Sequence, residues 1–419
     1  AWLTSVRSAD GSLAEGFLRV ERNPREGSTV SLAREAAICA ALQDTDVPVP
    51  AVYAWDPDRH LALFERVPGS AAIDKHEDAS IQRAVMEDFI DAVARLHQLR
   101  PGNLDLEKAL GSFELSAREC ALADVESQLR QFAGFLQHYR DPLMLYGIQW
   151  LRRFAPGQVH RVCLVQGDTG PVNFMFEGDR VTALVDWEWG HWGDPMEDLG
   201  NICVREFWNP SGGLRGLFER YAKRSGIPYE PRAVRYYRVQ QNVRGMIPIH
   251  AACQSRGMRE SMAWYMAYRY VGDRSTCEAL ADAMGVAIER PPMPEEDREL
   301  SPLADAALGS LRRDLVPELQ STFASSRATD VGILLECMAR RQRYAAELEA
   351  IEAAEIADLL GQPVTGFAAS VDRLCQAIED QRLADEPLLR YLARRAYRDE
   401  WLHAPVSELY PDRRWSALD

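Results

Sequence analysis

Apolar and polar positions change period several times along the chain. Residues 2–8 and 14–21 read as extended segments, and Asp10-Gly11 between them predicts a hairpin. Over residues 31–42, Leu32, Ala36, Cys39 and Ala40 recur at helical spacing. Val47-Pro48-Val49-Pro50 forbids continuation of that helix. A short strand over residues 61–64 runs into Glu65-Arg66-Val67-Pro68-Gly69, which reads as a linker leaving a small lobe. From Ser80 the pattern turns helical, with Val85, Phe89, Ala92, Val93 and Leu96 on one face and helical signals as far as Phe154. Residues 159–165 are apolar and β-branched, and residues 173–176 and 181–185 flank the turn Glu177-Gly178-Asp179. Helical spacing returns after Trp208 and lasts to about Met284.

Residues 289–302 hold four prolines among acids and predict a linker. Beyond it, Leu303, Ala307, Leu311 and Leu315, then Leu334, Leu335 and Met338, predict four or five amphipathic helices with apolar faces. The expected organisation is α+β: a small β-rich lobe over 1–69, a larger and mainly helical lobe over 70–288 with an embedded hairpin, the linker, and an all-α domain over 303–419. Eight cysteines are scattered singly, without metal spacing, which predicts reduced and mostly buried thiols and a cytoplasmic protein. A formal net charge of −15 argues against nucleic acid and anionic membrane as partners. No apolar run is long enough to span a bilayer. The chain opens at Ala1 already reading as a strand, so further residues are expected upstream.

The chemistry concentrates in Leu164-Val165-Gln166-Gly167-Asp168-Thr169-Gly170-Pro171-Val172-Asn173-Phe174 and in Leu184-Val185-Asp186-Trp187-Glu188. An apolar strand delivers Asp168 into a Gly/Pro loop. Asn173 follows five residues later at the mouth of the hairpin, whose return strand ends in Asp186. Phosphoryl transfer needs one carboxylate to orient and deprotonate a hydroxyl, and hard oxygen ligands for Mg²⁺. An Asp-x₄-Asn loop with an Asp on the return strand can place all three in one small volume. Taken alone, the loop is equally an Asx turn. Arg19 projects from a strand of the small lobe where phosphates would be clamped, and Glu35 on the next helix could fix it. Asp194 before Pro195 is good helix-start chemistry and suggests a structural support of the loop.

Together these residues resemble the aminoglycoside phosphotransferase and choline kinase superfamily, which shares the bilobal protein-kinase fold. The likeness is nearest to the branch associated with acyl-CoA dehydrogenases. It covers roughly residues 1–285 and rests on Gly167, Asp168, Asn173, Asp186, Trp187, Glu188, Gly193, Asp194, Pro195, Asp198 and Leu199. The resemblance implies Asp168 as catalytic base, Asn173 and Asp186 as Mg²⁺ ligands, and Glu188 as a further metal or substrate group. It also implies Arg19 and Glu35 on the nucleotide phosphates, and Glu65 to Val67 as the hinge that meets the purine of ATP or GTP.

Three departures stand out. Gln166 replaces the family's loop-bracing His, but Gln still donates and accepts. Arg19 replaces the usual Lys and is planar and forked. The family's glycine-rich strand-turn-strand would precede Trp2. Trp189, Asn242 and Arg244 are candidate substrate residues, and His97 a structural one. The helical segment from about residue 297 resembles a domain of unknown role that follows some of these kinases. The implied partner is a hydroxylated small molecule, and a homodimer is compatible with the sequence. A hydroxyacyl-CoA or other catabolic alcohol leads, an aminoglycoside is the alternative, and a non-catalytic scaffold is the rival of another class.

Overall fold

The computed structural model describes residues 1–7, 11, 13–21, 31–257, 260–296, 301–363 and 365–418. By internal packing the chain forms two compact units. One holds Ala1–Ser127, Phe154–Gln241 and Arg414–Asp419; the other holds Gln128–Arg153 and Asn242–Arg413. This division differs from the expected linker at 289–302. Composition marks where a chain lacks regular structure, whereas packing groups Met262–Met284 with the later helices through a shared apolar cluster of Ala263, Ala267, Tyr270, Cys337 and Val406.

In the first unit, β1 (Trp2–Arg7), β2 (Leu13–Val20), β3 (Val52–Asp56) and β4 (Leu61–Glu65) form one antiparallel sheet in the order β1-β2-β4-β3. The register from Trp2 opposite Leu18 to Arg7 opposite Leu13 makes the first two strands a hairpin, although Asp10 itself lies outside the described residues. Strand β3 was not expected. It is a largely half-exposed edge strand with a bulge near its start, so its sequence alternation is weak. The helix Leu32–Leu42 begins at Ser31, whose Oγ accepts from the Arg34 amide at 3.2 Å, and it buries Glu35 along with Leu32, Ile38 and Leu42.

The helix Ala79–Gln98 starts on Asp78, which accepts the Ser80 amide at 2.8 Å. Val85, Phe89, Ala92, Val93 and Leu96 are fully buried, as their spacing predicts. Each of the larger ones contributes about 1.5–3 kcal/mol. Phe89 stacks on Phe174 at 4.5 Å between centroids, which ties this helix to the hairpin of β6 (Phe174–Glu177) and β7 (Arg180–Leu184). The strand expected over 159–165 shortens to β5 (Cys163–Val165), because its partner β8 (His191–Gly193) is only three residues long.

Gly69 is where the linker from the small sheet meets this hairpin. Ser70 and Phe176 exchange two backbone bonds of 2.9 Å, and a Cβ on Gly69 would stand 2.1 Å from the Phe176 carbonyl oxygen at a φ of +103°. Only glycine fits there.

Among the described residues the regular structure of the second unit is helical, dominated by the 39-residue helix Thr322–Leu360 together with Met262–Met284, Phe367–Glu379 and Asp385–Leu402. The expected apolar stripe supplies its core only in part: Leu334 packs on the shared cluster, whereas Leu303, Leu315 and Met338 are exposed and Leu308 is buried instead. A π-helical stretch, Ser310–Leu315, followed by the 3₁₀ turn Val316–Glu318, breaks the 3.6-residue period on which that stripe depends. All eight cysteines are free, and all but Cys253 are buried. Among the described residues, no helix is long and apolar enough to cross a membrane.

Candidate active site

The loop between β5 and β6 is held from below by one buried carboxylate. Asp198, on the helix Pro195–Trp208, accepts the Gln166 and Gly167 amides at 3.0 Å each, the Thr169 hydroxyl at 2.5 Å and His97 Nε2 at 3.0 Å. Burial alone would push its pKa up, but these bonds outweigh burial and hold it below the ordinary Asp value. His97 is also fully buried and bonded to the Tyr221 hydroxyl at 2.7 Å. Asp194 does something different. It caps the helix by accepting the Met196 amide at 3.0 Å and takes the Tyr237 hydroxyl at 3.3 Å. Burial, its largest influence, raises its pKa to about 6. Pro195 after it completes a favourable helix start.

Gln166 braces the loop from the side. Its Nε2 donates to the carbonyls of Asn173 (3.2 Å) and Val185, which joins the loop to the segment that carries Asp186. The Val185 amide returns a bond to the Asn173 carbonyl at 3.1 Å. Val172 and Asp186 both sit in the left-handed region, with φ of 71° and 64°. For a β-branched residue such as Val172 this is a costly conformation, of the kind that clusters at functional sites.

Asn173 Nδ2 donates to the Asp168 carbonyl (2.7 Å) and to Asp168 Oδ2 (2.9 Å), leaving its Oδ1 as a free-standing acceptor type for a hard cation. Asp168 is further gripped by Arg205, whose Nε donates to Oδ1 at 2.9 Å and whose Nη2 donates to Oδ2. This two-pronged pair fixes the plane of the carboxylate. Among the described residues Oδ1 has a single donor, so a lone pair remains for an incoming hydroxyl. Sequence reasoning missed Arg205. Its signal was Gly170, where a Cβ would lie 2.5 Å from the Arg205 Cβ: the glycine lets that helix come close enough for the arginine to reach the loop.

Across the site Arg19 stands among three carboxylates: Glu35 at 2.5 Å, Asp186 at 3.2 Å and Glu188 at 3.1 Å. Burial works against the Arg19 charge, but the three acids outweigh it and its pKa is raised. Burial also dominates at Glu35 and drives its pKa to about 7 in spite of Arg19. Glu188 is raised by burial and by Asp186, with Arg19 opposing. Asp186 keeps 40% of its side chain accessible. Four carboxylates (Glu35, Asp168, Asp186, Glu188) therefore face two guanidiniums. That excess of negative charge and the all-oxygen donor set of Asn173, Asp186 and Glu188 fit a hard divalent cation such as Mg²⁺.

The remaining candidates fall as follows. Glu65 ends β4 and accepts the Ala51 amide at 3.1 Å, and Val67 is half-buried in the linker that follows. Trp189 is half-buried, and its carbonyl accepts from His191 Nδ1 at 2.8 Å. Trp187, Trp192 and Phe207 are core residues. His191 is packed with Asp124 and Glu197, and although burial opposes its charge these acids raise it to about 10. The ring is thus a cation that balances two buried acids. Asn242 and Arg244 are buried residues of the second unit, where Asn242 accepts the Ser275 hydroxyl at 2.9 Å.

The sequence model of a family described as "Phosphotransferase enzyme family" matches residues 8–237. Acyl-CoA dehydrogenase family member 10 of Mus musculus is 28% identical over 223 residues, which are 50% of this chain and 20% of that protein. Acyl-CoA dehydrogenase family member 11 of Rattus norvegicus is 26% identical over 156 residues, 37% of this chain and 19% of that protein. The chain thus matches about a fifth of the length of these relatives. Among solved structures, a choline kinase from Streptococcus pneumoniae aligns with a TM-score of 0.46 and 13% identity, over 67% of this chain and 90% of its own. An aminoglycoside phosphotransferase from Streptomyces rimosus, in complex with ADP and streptomycin, aligns with a TM-score of 0.39 and 23% identity, over 56% and 90%.

Proposed function

The chain belongs to the phosphotransferase enzyme family, a group of small-molecule kinases, and we propose that it moves the γ-phosphoryl of ATP or GTP onto the hydroxyl of a small molecule. The observation that carries this reading is that Asp168, held by Asn173 and Arg205, and Asp186 and Glu188, paired with Arg19, are carried by segments joined through the Val185 amide and the Asn173 carbonyl. In this reading Asp168 Oδ1 receives the acceptor's hydroxyl proton as the oxygen attacks phosphorus. Arg205 and Asn173 hold that carboxylate in plane during the transfer. Asn173, Asp186 and Glu188 would hold Mg²⁺, which when bound supplies positive charge to the donor's phosphates. Arg19, fixed by Glu35, reaches toward the same phosphates, and Glu65 to Val67 offer backbone groups to the purine. The rate gain comes from alignment and fixed charges, without a covalent intermediate.

For the acceptor we favour a hydroxyacyl thioester or another catabolic alcohol over an aminoglycoside. What supports this is similarity to relatives named for acyl-CoA dehydrogenase, a link by association. A scaffold reading draws on Gln166 in place of the loop-bracing His and on the glycine-rich segment expected before Trp2; the two carbonyls that Gln166 bridges count against the first, since the brace is in place without histidine.

The test is release of ADP or GDP with Mg²⁺ across a panel of hydroxylated acceptors, CoA thioesters beside aminoglycosides. Asp168→Ala should lose at least a thousandfold in kcat and retain nucleotide binding, read as a raised unfolding midpoint. Wild-type turnover in Asp168→Ala would end the assignment of the base. A wild-type chain that binds neither nucleotide would favour the scaffold.

A further inference from the structure

The second unit contains a cavity of about 430 Å³, a size at which proteins hold small molecules. It lies among the helices Met262–Met284, Thr322–Leu360 and Asp385–Leu402, with Phe367 at the start of Phe367–Glu379 closing part of it. Three guanidiniums, those of Arg269, Arg341 and Arg395, line it.

Two of these arginines are poorly satisfied. Arg395 Nη1 is buried without a hydrogen-bond partner, and its ion pairs are long, 3.6 Å to Glu352 and 3.8 Å to Asp399. Arg269 Nε is also unpartnered, with Asp273 at 3.9 Å and the Tyr270 ring 5.3 Å from its Cζ. Those two nitrogens are shut off from the cavity, but Arg269 and Arg395 both line it, and their nearest acids lie beyond hydrogen-bond distance, so their other guanidinium nitrogens are the donors it offers. On the same wall Glu352, only 4% exposed, has an oxygen without a hydrogen bond, and burial raises its pKa to about 8. A raised carboxyl pKa lessens the repulsion that this wall would offer an anion. Arg341 stands at the exposed side, donating to His403 Nε2 at 3.2 Å, and His403 stacks on Tyr270 at 3.8 Å. Leu348, Phe367 and Leu402 add apolar surface to the lining, which also carries Glu349 and Asp399.

We propose that this cavity binds a small organic anion, a carboxylate or phosphate monoester on an apolar body. Arg395 and Arg269 take the oxyanion while Leu348, Phe367 and Leu402 cover the body. The proposal does not depend on the phosphotransfer reading.

The experiment is calorimetric titration and thermal unfolding of the full chain with four probes: octanoate, octyl phosphate, 1-octanol and inorganic phosphate. One of the two amphipathic anions should bind one-to-one and raise the unfolding midpoint, and which one does identifies the head group. Octanol and inorganic phosphate should bind at least tenfold more weakly. Binding should persist in Asp186→Asn, which places it away from the nucleotide site, and fall at least tenfold in Arg395→Gln. Should Arg395→Gln not fold, Ala345→Trp fills the cavity without touching a charge and should give the same loss. Three outcomes overturn the proposal: no binding of either anion, octanol or inorganic phosphate binding as well as they do, or affinity that survives Ala345→Trp or disappears in Asp186→Asn.

Discussion

Replacing Asp198 by Asn keeps its size and removes one acceptor position. Oδ1 now serves the Gly167 amide and the Thr169 hydroxyl, and Oδ2 serves the Gln166 amide and His97. Whichever oxygen becomes an NH₂, two donors then face a donor. The cheaper placement turns the NH₂ toward His97, which can change tautomer and accept, because the Tyr221 hydroxyl on its other nitrogen can reverse its role. The Gln166 amide is still left without an acceptor in a fully buried place, at about 1–3 kcal/mol. The bonds that remain lose their ionic assistance, about 1 kcal/mol more in all. Relief from burying a charge returns about 1 kcal/mol of this, so the expected loss is about 1–3 kcal/mol.

The assay is urea unfolding of the unit that holds the site, paired with steady-state kinetics. Because the loop carries Asp168, kcat should fall at least tenfold, while the nucleotide KM changes less than about twofold. The pH dependence has a definite sign. A carboxylate with a lowered folded pKa contributes stability that is present above its unfolded value near 3.9 and lost as pH falls through the folded value. The deficit of Asp198→Asn should therefore shrink on acidification below about pH 4. A loss under about 0.5 kcal/mol with kcat unchanged would refute the view that this carboxylate organises the loop.

Glu35 titrates with the opposite sign. Its folded pKa is raised from 4.5 to about 7, so wild-type stability should fall by about 3 kcal/mol between pH 4.5 and 7, and Glu35→Gln should flatten that slope in unfolding at several pH values. Gly69→Ala should cost more than about 2 kcal/mol, because its Cβ meets the Phe176 carbonyl; Gly178→Ala, with open space around it, should cost about 1. Equal costs would show that the linker yields. Arg205→Met should lower kcat about 10–100-fold at constant nucleotide KM. Arg205→Lys should not restore it, because an ammonium cannot make the two-pronged pair. Full activity in either variant would remove Arg205 from the site.

Much of the first unit could be read from the sequence, because its signals are local. The spacing from Gln166 to Asp186 is set by one strand, one loop and one hairpin. Arg19 and Glu35 lie only 16 residues apart, near the end of β2 and in the first turn of the helix Leu32–Leu42. What could not be read depends on approach between distant segments. Arg205 is an ordinary helical arginine until Gly170 brings its helix to the loop. Asp198 is a motif position in the sequence, but its role as the loop's anchor needs four donors from two separate segments. The unsatisfied arginines of the second unit are invisible to any periodicity, since Arg269 and Arg395 sit on different helices more than a hundred residues apart. The stripe from Leu303 to Leu315 misled because periodicity assumes a single helical pitch.

The pair of hydrogen bonds between Ser70 and Phe176 has a consequence for motion. Downstream of it the linker is clamped to the catalytic hairpin, and upstream the Arg66 amide is already tied to the Glu15 carbonyl. Between these ties the Pro68 carbonyl takes the Thr182 hydroxyl at 2.9 Å, and the ring of Pro68 locks one backbone torsion. Elsewhere the Leu184 amide holds the Pro48 carbonyl at 2.8 Å, and Arg19 pairs with Asp186 and Glu188. The small sheet is thus laced to the hairpin at several points, the linker among them, and a donor that touches the segment expected to meet the purine would enter between walls already joined.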